Sequence, residues 1–290
     1  MPKSRLQSGK TEFRPCAADL TSAAVAFGQA AELPSAEAGA MQRLESSPRH
    51  GEWVTVDAGG DRVDAWVVYP ERSGRAPDLI SGKAPGGKGS RAVSADDARA
   101  LIAGLDPVEV IRRLNAVAKY ATTLPAALPR YAVVGFCWGG GVSFTYATEQ
   151  PALRAAVVYY GTSPATQALG RITAPVLGLY GGNDARVGAT VPPAAQEMKR
   201  LGKSFEYTMF DGAGHAFLRQ QDGQSGANLK ATQQAWPRMI QFLRKNLETG
   251  VSLRDDSTPG AMPVTVSLEC TCDDDYDTTA QRAFLGAGEY

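Results

Sequence analysis

Several things are scarce in this 290-residue chain, and each scarcity closes off a class of protein. Thirty Lys and Arg balance thirty Asp and Glu, so no net charge points to nucleic acid or an anionic membrane as partner. No apolar run approaches the ~20 residues of a membrane span. Four cysteines in a chain this long make no disulfide framework. Their positions (Cys16, Cys137, Cys270 and Cys272) fit no zinc pattern, and Cys270-Thr-Cys272 alone is a weak metal or redox hint beside a plain tail reading. There are only two histidines, His50 and His215, so any chemistry that needs an imidazole has few places to reside. The expected compartment is reducing and cytoplasmic. Lys3, Arg5, Lys10 and Arg14 ahead of the small apolar residues Ala17 to Ala31 loosely imitate a signal peptide, so secretion is the alternative. Asp19 interrupts that stretch, and a flexible leader over 1–47 fits it better, with a short helix near Ala36 to Leu44.

From residue 48 the pattern is that of an α/β protein. Trp53 to Val56 and Arg62 to Tyr69 flank Asp57-Ala-Gly-Gly-Asp61, which predicts an antiparallel hairpin. Glu71 to Ser90 reads as a loop; its Gly86-Gly-Lys-Gly-Ser90 lacks the spacing of a phosphate loop. Ser94 with Asp97 opens one helix, and Asp106-Pro107 opens a second with Val108, Ile111, Leu114 and Ala118 as its apolar stripe. After Leu124 to Pro129, apolar strands and helices alternate: strands at Tyr131–Phe136, Ala155–Tyr160, Val176–Tyr180 and Phe205–Phe210, helices at Pro192–Leu201 and Leu229–Leu247. Strands without polar alternation, separated by helices, imply a parallel sheet covered on both faces. The expected domain runs from 48 to 248. Thr249 to Tyr290, with Asp273-Asp-Asp275 and two prolines, is expected to be a disordered tail.

The most specific stretch is Tyr131-Ala-Val-Val-Gly-Phe-Cys-Trp-Gly-Gly-Gly141. An apolar strand that turns at once into a helix through Gly-x-Cys-x-Gly has the form of a nucleophile elbow with cysteine in the central place. The flanking glycines remove side chains that the strained turn would crowd. At a helix N-terminus the Cys137 thiolate is favoured by backbone N–H groups and the helix dipole.

Parallel sheets present ligands to the carboxyl ends of their strands. Asp184 follows one strand in Gly181-Gly-Asn-Asp184, and His215 follows another in Asp211-Gly-Ala-Gly-His215. The order nucleophile, acid, histidine is that of the α/β-hydrolase arrangement. In these roles Cys137 attacks an acyl carbon, His215 moves the proton, Asp184 orients the imidazole, and the Trp138 N–H holds part of the oxyanion. Each residue has a plainer reading by itself: an inert buried thiol, a turn aspartate, a loop histidine.

Gly135-Phe-Cys-Trp-Gly-Gly140, Gly182-Asn-Asp184 and Gly214-His-Ala-Phe-Leu-Arg219 resemble the dienelactone hydrolase family, over about Gly51 to Leu247. The resemblance implies a monomeric, cofactor-free and metal-free α/β-hydrolase that cleaves a small-molecule enol-lactone or carboxylic ester through a thioester acyl-enzyme. It also implies that Arg219 binds a substrate carboxylate, which its planar guanidinium suits; a surface arginine without ligand is the alternative. A second family arginine would fall near Gly82, where only Lys83 is at hand. Between Tyr69 and Asp78 the family's strand–helix–strand unit, of ~30 residues or more, has no counterpart. That unit carries the family's second oxyanion donor and a glutamate that holds the resting thiol. Its loss leaves the elbow strand expected at a sheet edge or beside the N-terminal strands. A catalytically impaired relative that acts as a non-catalytic binding protein, or a truncated remnant, is therefore the competing expectation.

Overall fold

The computed structural model describes residues 50–69, 74–89, 92–124, 127–248 and 262–268. The expected leader, the Cys270–Cys272 pair and most of the expected tail lie outside the described residues. The first hairpin forms as its sequence predicts: β1 (His50–Asp57) pairs antiparallel with β2 (Arg62–Tyr69) around Asp57-Ala-Gly-Gly-Asp61. The stretch read as a loop contributes a short strand, β3 (Gly74–Pro77), antiparallel to β2.

Helix α1 (Ala95–Ala103) is capped by Ser94, whose Oγ accepts from the Asp97 N–H at 3.2 Å. Helix α2 (Pro107–Thr122) is capped by Asp106, which accepts from the Val108 N–H at 3.0 Å. The stripe of α2 is rotated from the expected one: Val110, Leu114, Val117, Ala118 and Ala121 are buried, and Val108 is 74% exposed. A residue in the first turn has little neighbouring structure to cover it, so periodicity there predicts burial poorly.

The central strand β4 (Ala127–Phe136) begins earlier than the apolar run, with an irregular register between Ala127 and Tyr131 around Pro129. Proline donates no ladder hydrogen bond, which accounts for the break. β4 turns into α3 (Trp138–Glu149). Then follow β5 (Ala155–Tyr159), β6 (Val176–Gly181), α4 (Val191–Arg200), β7 (Phe205–Phe210) and α5 (Ala227–Glu248). Pro237 lies inside α5, which continues past it.

The chief difference from expectation is β8 (Met262–Leu268), a strand inside the segment expected to be disordered. The eight strands form one sheet in the order β1-β2-β3-β8-β4-β5-β6-β7. β8 lies between β3 and β4 and is parallel to both, with Tyr131 opposite Val264 and Gly135 opposite Leu268. The elbow strand is thus neither a sheet edge nor a neighbour of the N-terminal hairpin. A signal for β8 is present in its residues: Met262, Val264, Val266 and Leu268 alternate with Pro263, Thr265 and Ser267, the period of a strand. The acidic and proline-rich surroundings mask it.

Successive strand residues point to opposite faces, and the core divides accordingly. Tyr131, Val133, Ala156, Val158 and Val176 pack on one side with α2, α3 and α4. Ala132, Val134, Ala155, Val157, Leu177 and Leu179 pack on the other with Ala231, Trp236, Met239 and Leu243 of α5. β5 and β6 are buried along their whole length, which is why they carry no polar alternation. A hydrogen-bond chain ties β4 to the helices beside it. The Tyr131 and Tyr146 hydroxyls are 3.0 Å apart, and the Tyr146 hydroxyl donates to Asn115 Oδ1 at 2.8 Å. Burial, with this neighbouring hydroxyl, holds the Tyr131 phenol well above the usual tyrosine range.

Candidate active site

The carboxyl ends of β4, β5, β6 and β7 lie side by side, and the turn that follows each supplies a side chain. Cys137 takes φ 54° and ψ −122° between β4 and α3, the left-handed half of backbone space that an L-residue enters only at a cost of about 1–3 kcal/mol. Hydrogen bonds hold it there. Its N–H donates to the Tyr159 carbonyl at 3.1 Å, and its own carbonyl accepts from Gly140 at 3.1 Å and Gly141 at 3.3 Å, starting the helix. The turn is tight enough to require glycine at 135, where a Cβ would sit 1.9 Å from the Gly139 carbonyl oxygen. Cys137 is buried, at 8% exposure, at the N-terminus of a twelve-residue helix whose first amides have no partner inside the helix. Trp138 is the first residue of that helix, so its N–H is one of those amides.

Asp184 and His215 are brought together by two interlocked loops. After β6, the Gly182 N–H donates to the Phe210 carbonyl at 2.8 Å and the Asn183 N–H to the Ala213 carbonyl at 2.9 Å. The Asn183 amide also donates to the Gly212 carbonyl at 3.0 Å. The loops approach so closely that a Cβ on Gly181 would lie 2.4 Å from the Gly214 carbonyl oxygen. From the other side, Asn228 at the start of α5 accepts from the Gly214 N–H at 2.9 Å.

The result is a 2.6 Å bond between His215 Nδ1 and Asp184 Oδ2. A carboxylate can only accept, so Nδ1 donates and Nε2 is left with the lone pair that a general base needs. Asp184 Oδ1 is engaged as well, accepting from the Val187 N–H at 3.2 Å as the cap of a one-turn helix, Ala185–Gly188. Asp184 is 8% exposed and the His215 side chain 27%, so the pair is shielded at the carboxylate and open at the imidazole.

Sequence reading missed Tyr160. It follows β5 at the same sheet edge, is 2% exposed, and holds a positive φ of 37°. Its ring centre lies 5.2 Å from that of His215 and 5.2 Å from that of Phe217, in tilted and edge-on contacts. The ring therefore walls one side of the imidazole. A signal is present in the sequence, since Tyr160-Gly161 follows an apolar strand just as the turns that carry Cys137, Asp184 and His215 do. Arg219 lies part-buried on the turn that begins at His215, its N–H donating to the Ala216 carbonyl at 2.9 Å. Lys83, the substitute considered for a second cation, is paired with Glu109 of α2 at 2.7 Å.

A strained cysteine at a strand-to-helix turn, with an Asp–His pair from the turns after the second and third strands along, β6 and β7, is the arrangement of an α/β-hydrolase. The comparisons with known proteins carry this further. The sequence pattern described as the dienelactone hydrolase family matches residues 75–247, and the chain belongs to that family. A protein of Saccharolobus solfataricus named "Putative carboxymethylenebutenolidase" is 35% identical over 132 residues, covering 45% of this chain and 50% of its own length. A Bradyrhizobium protein named "Probable 2-oxo-3-(5-oxofuran-2-ylidene)propanoate lactonase" is 25% identical over 238 residues, 68% of this chain and 94% of its own. The chain spans about half the length of the carboxymethylenebutenolidase relatives it matches. In fold it is similar to the crystal structure of a Klebsiella pneumoniae protein titled "Putative Dienelactone Hydrolase", with a TM-score of 0.60 at 21% identity over 69% of this chain and 100% of that one. No helix among the described residues is long and apolar enough to cross a membrane.

Proposed function

We propose that the protein hydrolyses a carboxylic ester or lactone with Cys137 as nucleophile, His215 as acid and base, and Asp184 as the orienting carboxylate. The observation that carries this reading is the 2.6 Å Asp184–His215 bond at the sheet edge where Cys137 occupies a strained elbow. His215 Nε2 takes the thiol proton, and the thiolate Sγ attacks the acyl carbon and forms the C–S bond. The oxyanion draws on the Trp138 N–H, one of the uncommitted amides of α3. Collapse breaks the C–O bond, and His215 returns its proton to the leaving oxygen. Water, deprotonated by His215, then attacks the thioester, and the acid leaves with regeneration of the thiolate. Asp184 stabilises the imidazolium formed on the way. Arg219 favours a substrate that carries a carboxylate. The protein acts on small molecules as a monomer without cofactor, in the cytoplasm.

A second reading, a family member that binds its ligand without turnover, is favoured by the direct passage from Pro77 to Asp78. Two measurements separate the readings. Hydrolysis of p-nitrophenyl acetate that is abolished in Cys137→Ala supports the enzyme. A fully folded protein that does not hydrolyse, and whose Cys137 is alkylated with a midpoint near the ~8.5 of a free thiol, supports the binder.

A further inference from the structure

β8 occupies a position that nothing local prepares. It pairs with β3 through Gly74–Thr265 and Arg75–Val266, and with β4 from Tyr131 to Gly135. Among the described residues it is the strand that joins the three-stranded N-terminal unit to β4–β7, because β3 pairs only with β2 and β8, and β4 only with β5 and β8. It lies outside residues 75–247, the part of the chain that carries the family pattern. It also lies on the side of the elbow strand away from the strands that bring Asp184 and His215. Both flanks are parallel, and helices α2 and α3 contact it on one face.

We infer that the gap between β3 and β4 is a strand-binding site, that its occupant is this chain's own segment Met262–Leu268, and that its occupancy positions the Cys137 elbow. A strand buried in a sheet bonds through alternate N–H and C=O groups to each neighbour. Without β8, one full set of those groups on β4 from Tyr131 to Gly135 loses its partners, beginning two residues from Cys137. Cys137 itself is held in a conformation that persists only where the surroundings over-determine it. Its N–H is anchored to β5 through the Tyr159 carbonyl; among the described residues, the strand paired with the opposite flank of β4 is β8. Recognition comes from the backbone, so a separate peptide with this alternation can enter the same gap. The positioning role rests on the thiol-nucleophile reading; the strand-binding site does not.

The test uses the full chain with a protease site placed in the 249–261 link and cut after folding. The probe is a fluorescent peptide spanning Gly260 to Leu268, with a Thr265→Pro version as control. Amide exchange of Tyr131–Gly135 and the pH midpoint of iodoacetamide capture at Cys137 are read before and after the cut fragment is diluted away. The expected result is that the native peptide enters and the proline peptide does not. Release is expected to remove protection from Tyr131–Gly135 while β6 keeps its own, and to move the midpoint up toward the ~8.5 of a free thiol. The native peptide is expected to restore both. Protection of Tyr131–Gly135 that survives release would overturn the strand-binding site. Loss of protection through β5 and β6 as well would overturn it in favour of a strand that merely holds the fold together. A midpoint that stays put while protection is lost would overturn the positioning role alone. None of these readouts requires ester turnover, so a protein that fails to hydrolyse but shows peptide-dependent protection refutes the enzyme reading and leaves the site intact.

Discussion

Replacing Gly135 with alanine tests the elbow more directly than removing the nucleophile, because it adds one methyl group and no chemistry. A Cβ there would stand 1.9 Å from the Gly139 carbonyl oxygen, 2.4 Å from its carbon and 2.8 Å from the Gly140 nitrogen. All three are backbone atoms of the first turn of α3, so no side chain can swing aside. Contacts under 3.0 Å are essentially never seen for a real Cβ, so the helix start must withdraw by 3.0 − 1.9 = 1.1 Å at least. Over-packing against backbone costs about 3 kcal/mol, the upper end of its usual range. For a domain of this size that lowers the melting temperature by about 6–12 °C. The same shift carries Cys137 and the Trp138 N–H away from His215, and a 1 Å misplacement reduces turnover by about 10²-fold. The control is Gly202→Ala: that glycine has φ +66° and open space around it, so only the backbone preference is lost, about 1–2 kcal/mol. Its turnover should equal that of the native protein. Thermal melts by circular dichroism and p-nitrophenyl acetate hydrolysis read both variants. A Gly135→Ala protein that melts no lower than Gly202→Ala and hydrolyses at the native rate would refute the strained-elbow argument.

Asp184→Asn should leave the melting temperature nearly unchanged, because an amide oxygen still caps Val187, while kcat falls by about 10⁴-fold as the imidazole loses its orienting charge. Arg219→Ala should raise KM for a carboxylate-bearing ester by about 10–100-fold, the worth of a charged hydrogen bond, and leave a neutral ester's kinetics unaltered. Asp61 offers a pH-dependent test away from the site. Burial opposes its ionised form, but the hydrogen bond from Arg112 and the charge of the buried Arg113 outweigh this and hold its carboxyl below the usual range. The stability it confers is therefore present above the unfolded aspartate pKa of about 3.9 and is lost as pH falls through the lower folded value. Urea melts of Asp61→Asn should show lower stability than the native protein at pH 7 and a smaller further loss below about pH 4.

Local chemistry made much of this protein legible. The Gly-x-Cys-x-Gly turn, the Ser94 and Asp106 caps, the hairpin at Asp57–Asp61 and the apolar strands β5 and β6 each depend on neighbours a few residues away, so a stretch of sequence contains what determines them. The same holds for His215 and Asp184 as candidates, because the ends of parallel strands are where function gathers. Their 2.6 Å pairing was not legible. It depends on backbone bonds between two loops about thirty residues apart and on a close approach that only Gly181 permits. Tyr160 went unseen because a tyrosine after an apolar strand looks like core until the fold sets it against the imidazole.

The largest correction is β8. Its alternation is written in Met262–Leu268, but alternation says only that a segment can be a strand. Which strands it joins is settled by which backbone N–H and C=O groups elsewhere lack partners, and those on β3 and β4 are distant in sequence. By itself the sequence determined the family, the elbow turn and the candidate residues Cys137, Asp184 and His215, since these rest on residue types at short spacing. Only the tertiary structure decided that the elbow strand lies inside the sheet, because the neighbour that completes its hydrogen bonding comes from beyond α5.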